Sequence, residues 1–110
     1  MNKAERLVEN LLYFAEIDLI IKEKIGKVND TLLRRDADKN DKDARNTMGV
    51  FGEDVADEAY YILSNKKAEV EAEMENQSTP ELLKRNLILN TAQDYISDYY
   101  LCLNRDGMDQ

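Results

Sequence analysis

The chain has no histidine and no tryptophan, and only one cysteine and one proline in 110 residues. Each shortage removes a class of chemistry. Without histidine, serine and cysteine nucleophiles lack their usual proton acceptor. Cys102 alone builds neither a disulfide framework nor a zinc site; it falls on an apolar row, where free thiols are buried and inert. The four glycines, Gly26, Gly49, Gly52 and Gly107, form no phosphate-cradling loop, and Gly49-Val50-Phe51-Gly52 runs into acids that repel phosphate. Basic residues are outnumbered, 15 Lys and Arg against 23 Asp and Glu, for a net charge of −8. Counterion release from a nucleic acid needs a basic surface, so no direct nucleic-acid partner is expected. Long hydrophobic runs are missing too. No stretch approaches the roughly 18 uncharged apolar residues of a membrane span, and Glu5 and Glu9 lie where a signal peptide would turn apolar. The expectation is a cytoplasmic protein with no membrane partner.

What remains is rich in charge (35%) and in apolar residues (43%), a balance that suits a folded helical bundle over one domain, residues 1–110. The period of the apolar residues locates the helices. In Pro80–Asn104, Leu82, Arg85, Leu89, Ala92, Ile96, Tyr99 and Leu103 recur by threes and fours, with only Arg85 polar. Ile88, Tyr95 and Cys102 form a second row, and Leu83, Leu87 and Leu101 project from the far side. Thr79 is placed to cap this helix, Pro80 suits its first position, and Glu81 complements its positive end.

From Lys3 to Arg35, Leu7, Leu11, Phe14, Asp18, Ile21, Ile25, Val28 and Leu32 keep the same spacing, broken only by Asp18. This reads as one long helix bent at Gly26; a break there instead gives a short helix over 27–35. Residues 36–52 have no evident period and are rich in Asp, Asn and Gly, so they read as a loop, with Met48, Val50 and Phe51 to pin it. In 53–76, Ala56, Tyr60, Leu63, Lys67, Val70 and Met74 define another helix, widened by Ala59 and Ile62. It carries eight acids against Lys66 and Lys67. The link Gln77-Ser78-Thr79 makes 53–76 and 80–104 antiparallel neighbours, so residues at equal height have numbers summing to about 156. The fold expected is all-α, an antiparallel bundle of three long helices (about 3–35, 53–76 and 80–104), or four if the first breaks at Gly26.

Two constellations invite a metal. Asp36, Asp38 and Asn40 match the first, third and fifth positions of a calcium loop, but Asp41, Asp43 and Thr47 occupy the places that need glycine, an apolar residue and a bidentate glutamate. Asp54 and Glu58 stand level with Asp94 and Asp98 across the hairpin, and four acids there would suit Mg²⁺. The two on the last helix point away from its apolar seam, however, and unpaired buried carboxylates are costly. No metal and no cofactor are expected.

The expected function is non-enzymatic: a small regulator, adaptor or inhibitor acting by protein contact and self-associating as a homodimer. The surplus apolar face of the last helix, Leu83, Leu87, Tyr95, Tyr100 and Leu101, marks the self-association interface. Asp54, Asp57, Glu58, Glu69 and Glu73 mark an acidic surface for a protein partner. Two alternatives stand beside this reading. One is an acidic mimic of nucleic acid that inhibits a nucleic-acid-binding protein, as phage-encoded inhibitors do. The other is a Mg²⁺-dependent all-α nucleotide pyrophosphohydrolase built on the four-acid cluster.

Overall fold

A computed structural model describes residues 2–27 and 31–108, with side chains over 2–25 and 31–99. Four helices account for almost all of it: α1 (Lys3–Lys27), α2 (Thr31–Phe51), α3 (Glu53–Asn76) and α4 (Pro80–Met108). The fold is an all-α bundle. Its most extensive contacts join sequence neighbours, α1 with α2 and α3 with α4, and α1 then packs across the second pair.

The helix starts follow local chemistry. Asn2 and Glu5 form a capping box: the Glu5 amide donates to Asn2 Oδ1 at 2.8 Å, and the Asn2 amide donates to Glu5 Oε1 at 3.4 Å. At α4 the Leu82 amide donates to Thr79 Oγ1 at 3.2 Å, with Pro80 next to the cap. Between α2 and α3 a single residue turns the chain. Gly52 adopts φ 94°, ψ 165°, a conformation reserved for glycine. Its amide still donates to the Met48 carbonyl at 2.9 Å, while its own carbonyl accepts from Ala56 at 3.0 Å.

The loop expected over 36–52 is instead most of α2. Leu33, Ala37, Asn40, Ala44, Met48 and Phe51 run down one side at helical spacing and are buried or half-buried. Between Leu33 and Met48 the stripe is only Ala37, Asn40 and Ala44, so its middle carries little hydropathy. Of the three apolar residues expected to pin the segment, Met48 is fully buried and Phe51 half-buried, while Val50 is 84% exposed. The helices number four among the described residues, but not through the expected break: α1 is helical through Gly26 to Lys27, and the second helix is Thr31–Phe51 and not 27–35. Val28 lies outside the described residues.

The core takes Leu7, Leu11 and Ala15 from α1, Ala44 and Met48 from α2, Ala56, Ala59 and Leu63 from α3, and Leu89, Ala92 and Ile96 from α4. On α3 the inward places go to Ala59 and Leu63, leaving Tyr60 40% exposed. Polar groups cross the core at two points. Gln93 Nε2 donates to Ser64 Oγ at 2.8 Å, a pair whose numbers sum to within one of the 156 expected from the short α3–α4 link. The Phe14 carbonyl accepts from both Asn40 Nδ2 (2.8 Å) and the Tyr95 hydroxyl (3.3 Å), tying α1 to α2 and α4. Among the described residues no helix is long and apolar enough to cross a membrane.

Candidate functional site

Beside the core stripe of α1, Glu5, Glu9, Leu12 and Glu16 recur at steps of four, three and four. They therefore share one face of that helix. On α3, Glu58, Ile62, Lys66, Glu69 and Glu73 do the same. Where these two faces meet, with Arg85, Ile88 and Leu89 of α4 closing one end, the surface sinks into two adjoining hollows of about 650 and 240 Å³. Leu12 and Lys66 border both, so the hollows form one furrow along α1 and α3.

The furrow has an apolar floor and an acidic edge. Val8, Val70 and Leu89 are buried beneath it, and Leu12, Ile62 and Ile88 are partly exposed within it. Around them stand six exposed glutamates, Glu5, Glu9, Glu16, Glu58, Glu69 and Glu73, against two cations, Lys66 and Arg85. Glu5 is engaged in the capping box of α1. The other five make no salt bridge to any described residue, so the edge carries uncompensated negative charge next to apolar surface.

The acidic surface expected from the sequence is thus partly assembled. Glu58, Glu69 and Glu73 line the furrow; Asp54 and Asp57 are exposed on α3 but do not border it. The contribution of α1 was missed, although its stripe of Glu5, Glu9, Leu12 and Glu16 is readable once α1 is known to lie against α3. The expected apolar interface divides. Leu83 and Leu87, one turn apart on α4, are 49% and 53% exposed, as an interface requires. Tyr95 does not belong with them: it is 7% exposed, held in the core by its contact with Phe14, and leaves the interface set. The side chains of Tyr100 and Leu101 lie outside the described residues, as does that of Cys102.

The acids considered for a metal are dispersed. Glu58 lines the furrow, whereas Asp94 and Asp98 line a different hollow, between α1, α2 and α4. Asp36, Asp38 and Asn40 lie on a helix, which spreads their side chains over different faces; Asn40 turns inward to Phe14. Among the described residues no three Asp, Glu or Cys side chains come together to hold a metal ion. Lys22 pairs with Asp18 on its own helix at 3.0 Å.

No protein-family model matches the chain, and no curated protein or solved structure matches it either.

Proposed function

We propose that the protein acts by protein contact and not by catalysis, taking the basic amphipathic helix of a partner protein into the furrow between α1 and α3. The observation that carries this reading is the pairing of an apolar floor with an edge of unpaired glutamates. A helix bound in a groove buries residues at i, i+3, i+4 and i+7 against the floor, which supplies the affinity. Lysines and arginines flanking that stripe then meet the acidic edge, which speeds encounter and excludes acidic competitors. Apolar burial alone would favour any amphipathic helix; the glutamates narrow the choice to a basic one. The protein then acts as a small acidic regulator or adaptor.

The test uses a fluorescent amphipathic peptide of leucine and lysine, and a scrambled peptide of the same composition. The ordered peptide is expected to bind one per chain, at least about tenfold more tightly than the scrambled one, and to weaken as salt rises. Reversing two edge charges, Glu69→Lys with Glu73→Lys, lowers affinity by a further order of magnitude or so. Equal binding of both peptides, or indifference to the charge reversal, overturns the reading.

Leu83 and Leu87 favour a second contact, between two copies of the chain through α4. Sedimentation equilibrium is expected to show a dimer that Leu87→Asp converts to a folded monomer. A monomeric wild type refutes it.

A further inference from the structure

Between α1, α2 and α4 lies a hollow of about 160 Å³ with a different character from the furrow. Its walls are polar. Four carboxylates, Asp18, Asp41, Asp94 and Asp98, share it with two cations, Lys22 and Arg45, so negative charge is in excess by two.

Asp18 is the unusual member. It stands in the apolar seam of α1, only 3% exposed. Its Oδ2 accepts from Lys22 Nζ at 3.0 Å, but its Oδ1 is buried with no hydrogen-bond partner among the described residues. Oδ1 of Asp41 is buried and unpartnered in the same way. A buried acceptor left without a donor is a standing cost to the fold, and a charged one costs more than a neutral one. The neutral hydroxyls lining the hollow are committed elsewhere: Tyr95 donates to the Phe14 carbonyl and Thr91 to the Leu87 carbonyl. Burial, followed by the neighbouring charge of Asp18, pushes the Asp41 carboxyl above its ordinary range, and Lys22 and Arg45 offset this only in part.

The missing component is therefore positive charge that carries N–H donors. A metal ion is a poor fit, because it needs several oxygens converging on one point and the described acids do not converge. Separated carboxylates are matched by an extended cation with a donor group at each end. We propose that this hollow is a binding site for a small organic dication of the alkyl-diamine class, one ammonium group serving the buried Asp18–Asp41 end and the other the Asp94–Asp98 mouth. Each ammonium has three N–H donors, enough for both Oδ1 atoms once a small rotation of the two carboxyl groups, now closed to solvent, turns them toward the hollow. Two charges on the ligand cancel the excess of two in the walls. At roughly 30 Å³ per water in the liquid, the hollow has room for about half a dozen non-hydrogen atoms, a short diamine and not a long polyamine. Lys22 and Arg45 keep a role as a barrier to larger cations, since they already occupy part of the carboxylate field.

Titration calorimetry with 1,4-diaminobutane on the full chain tests this, with propylamine and MgCl₂ at matched ionic strength as controls. One saturable site per chain is expected, with propylamine at least about tenfold weaker and Mg²⁺ unable to displace the diamine. Asp18→Asn and Asp98→Asn are each expected to weaken binding about tenfold or more. Asp98 is exposed on α4, so its substitution leaves the fold intact and decides the question even where Asp18→Asn fails to fold. The site is refuted by the absence of saturable diamine binding, by Mg²⁺ or NaCl abolishing it as simple screening would, or by unchanged affinity in a folded Asp98→Asn variant.

Discussion

Gly49 and Gly52 sit almost one helical turn apart and answer to different constraints. Gly49 lies within α2, and among the described residues a methyl group built on it would meet only the Tyr99 hydroxyl, at an ordinary 3.8 Å. Gly49→Ala should therefore stabilise the protein by about 0.5–1 kcal/mol in denaturant unfolding, by removing chain entropy from the unfolded state. Gly52 has open space around it but a φ of 94°, so Gly52→Ala should cost about 1–3 kcal/mol in the same assay. Asp41 yields a prediction in pH. Its carboxyl is raised in the folded state by burial, then by Asp18, with Asp38 adding and Lys22 and Arg45 subtracting. Between its unfolded and folded values the native state holds the extra proton, so stability contributed by this group is present at low pH and lost as pH rises through the folded value. Asp41→Asn should then raise Tm at neutral pH and have less effect near pH 4, as scanning calorimetry would show. Local features of this kind were partly readable beforehand. Thr79 and Pro80 announced the start of α4 because a cap depends only on its near neighbours, and Asp18 stood out as the polar member of an apolar seam. Its partner across the hollow, Asp41, was not readable, because that juxtaposition depends on α2 being a helix.

At the scale of the element, α2 is the instructive case. Its inward stripe of Leu33, Ala37, Asn40, Ala44, Met48 and Phe51 has helical spacing, but its middle three members are small or polar, and Asp, Lys and Arg cover the other sides. Apolar periodicity is legible in proportion to the size of the residues that carry it, and from Ala37 to Ala44 that size is small. Alanines suit this bundle for a packing reason. Ala15, Ala44, Ala56, Ala59 and Ala92 are all fully buried, and small side chains at the contacts let helix backbones approach closely. Asn40 anchors α2 through its bond to the Phe14 carbonyl, so Asn40→Ala should cost about 1–2 kcal/mol in chemical denaturation. The same blind spot explains Tyr95. As one of two apolar rows on α4 it was open to either the core or a surface, and the arrival of α2 and its Asn40 at the same carbonyl settles it in the core. The register of α3 against α4, by contrast, was fixed by a three-residue link that leaves little freedom.

For the molecule as a whole, the arrangement of charge was less legible than its amount. Net −8 was plain, and the acidity of 53–76 with it. That the acids of α1 and α3 would face one another across an apolar floor requires knowing which helices are neighbours, and this follows from the long-range packing of α1. The two helical pairs, α1 with α2 and α3 with α4, each join helices that follow one another in the chain. A single residue, Gly52, joins them. Were that turn replaced by a strong helix former, α2 and α3 would favour fusing into one rod of about 46 residues, some 70 Å long at 1.5 Å per residue. Each α1–α2 pair would then be carried away from its own α3–α4 pair and find the identical surface on a second molecule. Gly52 is in this sense the hinge of a latent domain swap. In the monomeric Leu87→Asp background, replacing Gly52 with two helix-forming residues, such as Ala-Glu, should restore a dimer in gel filtration with unchanged helical content by circular dichroism; a stable monomer would show that the reversal at Gly52 is held by more than its own backbone.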